Sequence, residues 1–377
     1  MKSVIPFNFC IIFLALLFCK DSAVIGQELH LIKKSATNES LPGTWPVLKH
    51  YDQTHLARIA FPVGGIGTGT VSLGGRGNLK DWEIMNRPAK GFVPDPPPFF
   101  AIYTEQANGK IAARALEGPL ELEEYEGYSG SQAPNHGLPR FQKCSFDATY
   151  PFARVYLSDR DLPVDVNLEA FNPFIPGDED ASGIPVAVLL YKVKNKTDDA
   201  VKVSICGNIP NFIGNDGSLN KPDWLDMLRP IGENKNINTF RFSKLVQGIY
   251  MTSEGVDSSA AQWGTMALVT LPENVTTHRL CWLRRGWGGD LLDFWDDFSQ
   301  DGRLENRKTT DVNKPMASLA VQLEIPVWPH RTRPGNRRGV ALPACWRAKP
   351  VVAAAAPGAL CHPGRNRSAR PDASPGA

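Results

Sequence analysis

From Ala153 to Ile325 the sequence keeps returning to one kind of segment, a short β-branched run cut off by turn residues. Ala153–Leu157 (ARVYL), Val164–Phe171 (VDVNLEAF), Ile184–Lys194 (IPVAVLLYKVK) and Ala200–Cys206 (AVKVSIC) open the series. Gly248–Thr252 (GIYMT), Gly264–Leu271 (GTMALVTL) and Leu319–Ile325 continue it. Asn172-Pro173, Pro176-Gly177-Asp178 and Asn195-Lys196-Thr197-Asp198 separate them. Branched side chains are stiff at χ1 and pack well on a pleated surface, while Gly, Pro and Asn supply the turns. Strands at this spacing, with no helical pattern between them, predict an all-β chain built as an antiparallel β-sandwich. Ile184–Lys194 and Ala200–Cys206, joined by a short polar turn, predict a hairpin.

One segment breaks the pattern. In Asp290–Phe298 (DLLDFWDDF), Leu291, Phe294, Trp295 and Phe298 fall at i, i+3, i+4 and i+7, which predicts an amphipathic helix. Asp290, Asp293, Asp296 and Asp297 lie on its other side and read as a solvated face. The DxDxDG order of a calcium loop is absent.

Composition divides the chain in three. Residues 1–26 read as a secretory signal, with Lys2 in front of the apolar run Cys10–Phe18 and Val24 and Gly26 before a cut at Gln27. That run is shorter than the ~20 residues a bilayer-spanning helix needs, and no later segment reaches that length. A lipoprotein reading at Cys19 is weaker, because Phe18 is bulky where such processing wants a small residue. The expected product is secreted or periplasmic, with no transmembrane segment. Residues 27–325 form the folded body. From 326 to 377 the composition switches to a low-complexity basic tail in which nine Lys/Arg face a single acid, Asp372. A basic arm is one reading. A disordered or out-of-frame extension is the preferred one, since no period of 2 or 3.6 is sustained. The whole chain has 41 Lys+Arg against 39 Asp+Glu, a balance that excludes nucleic acid as the partner of a dominant basic surface.

Cysteine leaves two alternatives open. Cys144, Cys206 and Cys281 are the three in the body, widely spaced and without a CxxC. Either one disulfide or buried free thiols fit an exported chain.

The densest motif is Gly64-Gly65-Ile66-Gly67-Thr68-Gly69-Thr70, followed by Gly74-Gly75-Arg76-Gly77. A phosphate loop needs GxGxxG between strand and helix, or GxxxxGK[ST], and neither register is met. The motif reads as a glycine-rich hairpin whose backbone packs closely against another surface, a sugar or a partner domain in the functional version. Asp81-Trp82-Glu83 and Asn86 follow, an aromatic flanked by carboxylates and an amide as in sugar sites. Asp81 and Glu83, two apart on a strand, share one face about 7 Å apart, within the span of glycosidase carboxylate pairs. Any D-x-E in a strand would do the same, so the spacing assigns no catalysis. His50, His55, His136 and His278 are scattered, with no HExxH, and no GxSxG elbow occurs. No metal or other cofactor is expected. Asn38, Asn195 and Asn274 are N-glycan acceptor sequons.

At these residues a resemblance emerges. Val63–Phe92 (VGGIGTGTVSLGGRGNLKDWEIMNRPAKGF) resembles the start of the N-terminal domain of glycoside hydrolase family 116. That family includes bacterial β-glucosidases and the non-lysosomal glucosylceramidases, or bile acid β-glucosidases. Leu168–Asn195, Gln262–Leu271, Phe294–Leu304 (FWDDFSQDGRL) and Lys314–Ile325 (KPMASLAVQLEI) continue the likeness in order, from about Trp45 to Ile325. The resemblance implies an N-terminal β-sandwich followed by an (α/α)6 barrel that carries a Glu nucleophile and an Asp acid/base. It also implies retaining hydrolysis of a β-glucoside or glucosylated lipid. The likeness stops at Pro326 and the barrel is missing, so no residue here inherits a catalytic role. The chain is expected to be an inactive, non-catalytic fragment. Gly64, Gly65, Gly67, Asp81, Trp82, Glu83 and Asn86 are the candidates for the part nearest substrate. The alternative is a stand-alone carbohydrate-binding or interaction module.

Overall fold

The computed structural model describes residues 49–327 except 86, 121–134, 136, 223–227, 231, 285–288 and 308–312, together with the strand at 351–357. Asn86, His136, Asn38, Cys19 and the signal segment lie outside the described residues. Strands are numbered in chain order. The largest sheet has nine strands, running from Lys49–Tyr51 (β1) through Lys143–Thr149 (β7), Phe152–Ser158 (β8), Val164–Phe171 (β9) and Val186–Asn195 (β10). It continues with Val351–Pro357 (β19), Gly264–Thr270 (β16), Gln247–Ser253 (β15) and Asn236–Phe242 (β14). A five-stranded sheet orders Val275–Arg279 (β17), Met316–Ile325 (β18), Val201–Pro210 (β11), Phe99–Gln106 (β5) and Ile111–Ala115 (β6). Ala60–Val63 (β2), Thr70–Gly74 (β3) and Leu79–Glu83 (β4) make a third sheet, and Leu219–Pro222 (β12) with Leu228–Pro230 (β13) a fourth.

The strand pairs are antiparallel, as the alternation predicts. The chain is therefore all-β, but its four sheets are not specifically the two-layer sandwich expected. Three of them meet in one core. Leu168, Leu189 and Leu268 from the nine-stranded sheet, Ile102, Ile205 and Leu319 from the five-stranded sheet, and Val63 and Leu73 from the third are buried together. Apolar side chains removed from water in this way provide the main drive for folding.

The expected hairpin between β10 and β11 does not form. β10 belongs to the nine-stranded sheet and β11 to the five-stranded one. Asn195 explains the crossing. Its Oδ1 accepts from Thr197 N and Oγ1, each at 2.8 Å, and its Nδ2 donates to Asp199 O at 2.7 Å and Ile325 O at 3.3 Å. The side chain thus builds an Asx turn and ties the corner to the end of β18. It also leaves Asn195 3% exposed, with its amide committed.

Two helices are described beside a single 3₁₀ turn: Glu179–Ser182 (α1) and Gly289–Asp301 (α2). Helix α2 covers the far face of the five-stranded sheet. Phe294 and Phe298 pack with Phe99, Tyr103 and Trp282, and the Trp282 and Phe294 rings stack with centroids 4.8 Å apart. The opposite face of α2 is not solvated throughout. Asp293 and Asp297 are buried against the guanidinium of Arg279, which is itself 0% exposed. Cys144, Cys206 and Cys281 are all buried, and burial pushes the Cys206 thiol well up.

Candidate functional site: the glycine hairpin and its apolar pocket

The glycine motif is the turn of the β2–β3 hairpin, in which Val63 pairs with Val71 and Ala60 with Gly74. Close approach explains two of its glycines. A Cβ on Gly65 would collide with the Ile184 carbonyl and the Thr68 hydroxyl. One on Gly69 would lie 2.8 Å from both Glu83 O and Ile84 Cα. The hairpin is pressed on one side against the β9–β10 connection and on the other against the end of β4. Polar bonds fasten it there: Ile66 N donates to Ser182 O at 2.8 Å, and Asn172 Nδ2 donates to Gly64 O at 2.9 Å.

β4 carries Asp81, Trp82 and Glu83. Opposite the β3 stretch from Thr70 to Ser72 its register slips, and Asp81 sits in this bulge with φ of 49°. Both carboxylates hold the same loop. Asp81 accepts from Gly91 N at 2.7 Å and from Lys90 Nζ at 3.1 Å, and Glu83 Oε1 accepts from Ala89 N at 2.9 Å. Burial pushes the Asp81 carboxyl up, but hydrogen bonds from Gly91, Lys90 and Ser72 outweigh it and hold the group below its ordinary value. Such a carboxylate stays ionised and accepts protons poorly, the reverse of what a general acid needs.

Trp82 is 3% exposed, and its ring meets Phe212 edge-on at 5.4 Å. Its face is therefore covered rather than offered to a pyranose. Beside it lies an apolar pocket of about 30 Å3, walled by Gly65, Thr68, Trp82, Val186, Ile209 and Met266. That is room for water-sized molecules, not for a hexose. Trp82 Nε1 and Thr68 Oγ1, both buried pocket residues' atoms, have no hydrogen-bond partner.

The hairpin thus brings Gly64, Gly65 and Trp82 to the wall of one pocket, with Asp81 and Glu83 bonded to the loop from Ala89 to Gly91. Gly67 is exposed and is not part of that wall, and a Cβ there would meet open space. The histidines stay apart: His50 meets Asp147, His55 meets Asp52, and His278 stacks on Phe240 at 4.1 Å. Among the described residues no cluster of His, Cys, Asp and Glu could hold a metal, and no helix is long and apolar enough to cross a membrane.

One feature escaped the sequence reading. Ile66, Tyr150, Phe174 and Ile175 are 41 to 53% exposed. The Tyr150 and Phe174 rings lie 6.0 Å apart, while Ser182, whose carbonyl takes the Ile66 amide, bonds Ile175 N through its hydroxyl at 2.9 Å. The signal in the sequence is Phe174-Ile175, two large apolar residues set between the turn clusters Asn172-Pro173 and Pro176-Gly177-Asp178. Exposed apolar groups gathered in this way mark interaction surfaces.

A sequence model described as beta-glucosidase 2, glycosyl-hydrolase family 116 N-term matches residues 60–336, running past Ile325 and covering most of the chain. With its glycine hairpin, its β4 clamp and its all-β core inside that match, the chain belongs to glycosyl-hydrolase family 116, as its N-terminal domain.

Proposed function

We propose that this chain is the non-catalytic N-terminal part of an exported β-glucosidase or glucosylceramidase-like hydrolase. In the complete enzyme a separate (α/α)6 barrel supplies the Glu nucleophile and the Asp acid/base. Hydrolysis there is a double displacement: a carboxylate attacks the anomeric carbon, and water then releases glucose with retention. The nine- and five-stranded sheets, which share one core, serve as the two layers of the family's sandwich. The apolar face of Ile66, Tyr150, Phe174 and Ile175 beside the glycine hairpin is where this domain meets the catalytic one and helps wall its cleft.

The observation that carries the reading is the use made of Asp81 and Glu83. Both carboxylates are spent on backbone amides of their own loop, so the motif that most resembles a sugar site does structural work. The buried ring of Trp82 weighs in the same direction against a stand-alone carbohydrate-binding module. The test is an assay of the pure 377-residue chain on an aryl β-glucoside. No turnover above buffer is expected. Turnover that disappears in Asp81→Asn or Glu83→Gln would overturn the reading.

A further inference from the structure

β19 occupies an unusual place. Every other strand of the nine-stranded sheet ends by Thr270, yet β19 enters from beyond residue 350 and takes an interior position. β10 lies on one side and β16 on the other, and these two strands are joined only through it. Val186–Leu189 of β10 register with Ala354–Val351, and Gly264–Thr270 of β16 register with Pro357–Val351. The segment reads VVAAAAP, and alanine is a poor strand former. Local propensity therefore does not explain why this stretch is extended. The two flanking edges do, since each carries a row of buried N–H and C=O groups that must find partners.

A second observation concerns the pocket. The pocket beside Trp82 includes Val186 and Ala187 from β10 and Met266 and Ala267 from β16. Their register partners on β19 are Ala353, Ala354 and Ala355.

We propose that the gap between β10 and β16 is a strand-acceptor site, which binds an extended apolar peptide through its main chain, and that Val351–Pro357 is its occupant. Recognition is carried by two ladders of backbone hydrogen bonds, so the site is tolerant of side chain and takes a strand supplied in trans, as β-augmentation sites do.

The test uses the full chain with a protease site engineered between residues 326 and 350 and cut after folding. The probe is a labelled synthetic peptide of residues 348–360. One-to-one, saturable uptake is expected. A second chain, uncut and carrying Ala354→Pro, removes a ladder donor. Its Val188 and Leu268 amides should exchange at least about tenfold faster, and the peptide should restore them. Unchanged protection in Ala354→Pro, or no peptide uptake by either chain, overturns the proposal. If Ala354→Pro does not fold, the cut chain decides alone.

Discussion

Arg279 of β17 donates through Nη2 to Asp297 of helix α2 at 2.6 Å, with no part of the Arg279 side chain exposed to solvent. Nη1 reaches Asp293 at 2.9 Å, one helical turn away, and Nε reaches Glu305 O at 3.2 Å. Arg307 closes the group from outside by bonding Asp293. The i, i+4 spacing of the two aspartates places both on the guanidinium, and this holds α2 across the five-stranded sheet.

Removing the Arg279 cation leaves the buried carboxylates of Asp293 and Asp297 with Arg307 alone, on the outer side. Arg279→Ala is expected to destabilise the chain by about 3 kcal/mol, since breaking a buried pair leaves charge uncompensated. Asp297→Asn, which leaves Asp293 in place, should cost less. Urea unfolding of both variants checks the order.

The glycine hairpin allows a comparison within one turn. Gly65→Ala drives a methyl group into the backbone of Ile184 and should cost about 3 kcal/mol. At Gly67 the space is open but φ is 77°, so alanine there meets only backbone strain of about 1–2 kcal/mol. Thermal melts of the two variants that came out in the opposite order would contradict the close-packing account.

Trp82→Phe should change stability by under about 1.5 kcal/mol, because the indole N–H it removes bonds nothing and most of the apolar volume stays. Trp82→Ala should cost about 3–5 kcal/mol. Calorimetric titration with cellobiose should give no heat of binding in the parent chain or in Trp82→Phe. A signal lost in Trp82→Phe would revive the carbohydrate module.

Acid should loosen the chain partly through Asp216. Burial raises this carboxyl, but hydrogen bonds from Ser218, Gln262 and Arg87 outweigh it and bring the group down from 3.8 to about 2. A folded value below the unfolded one means the contribution is whole above about pH 4 and is lost as pH falls through 2. The advantage of the parent chain over Asp216→Asn in urea midpoint should therefore shrink between pH 5 and pH 2.5. A constant difference would exclude this carboxylate.

Much of the strand content could be read from sequence. Val164–Phe171 forms β9 over its full predicted length, because β-branched alternation and flanking turns agree there. The hairpin expected across Asn195-Lys196-Thr197-Asp198 failed for a local reason. A short polar turn serves a hairpin and a sheet-to-sheet corner equally well, and the choice rests on where the Asn195 amide finds its carbonyls. The aspartates of α2 misled in a similar way. Their periodicity put them opposite the apolar stripe, but only the fold brings Arg279 to meet Asp293 and Asp297. At the candidate site the close-packed hairpin was legible from glycine density. The clamp role of Asp81 and Glu83 was not, since it depends on a bulge and on a loop folding back from Ala89 to Gly91.

The five-stranded sheet sets a timetable for synthesis. Its middle strand, β11, is flanked by β5, made about a hundred residues earlier, and by β18, made about a hundred residues later. A ribosome must therefore release the chain as far as Ile325 before β11 has both neighbours. Until then Ile205 and its companions stay uncovered, and a nascent chain halted short of that point leaves the core of the domain open on one side.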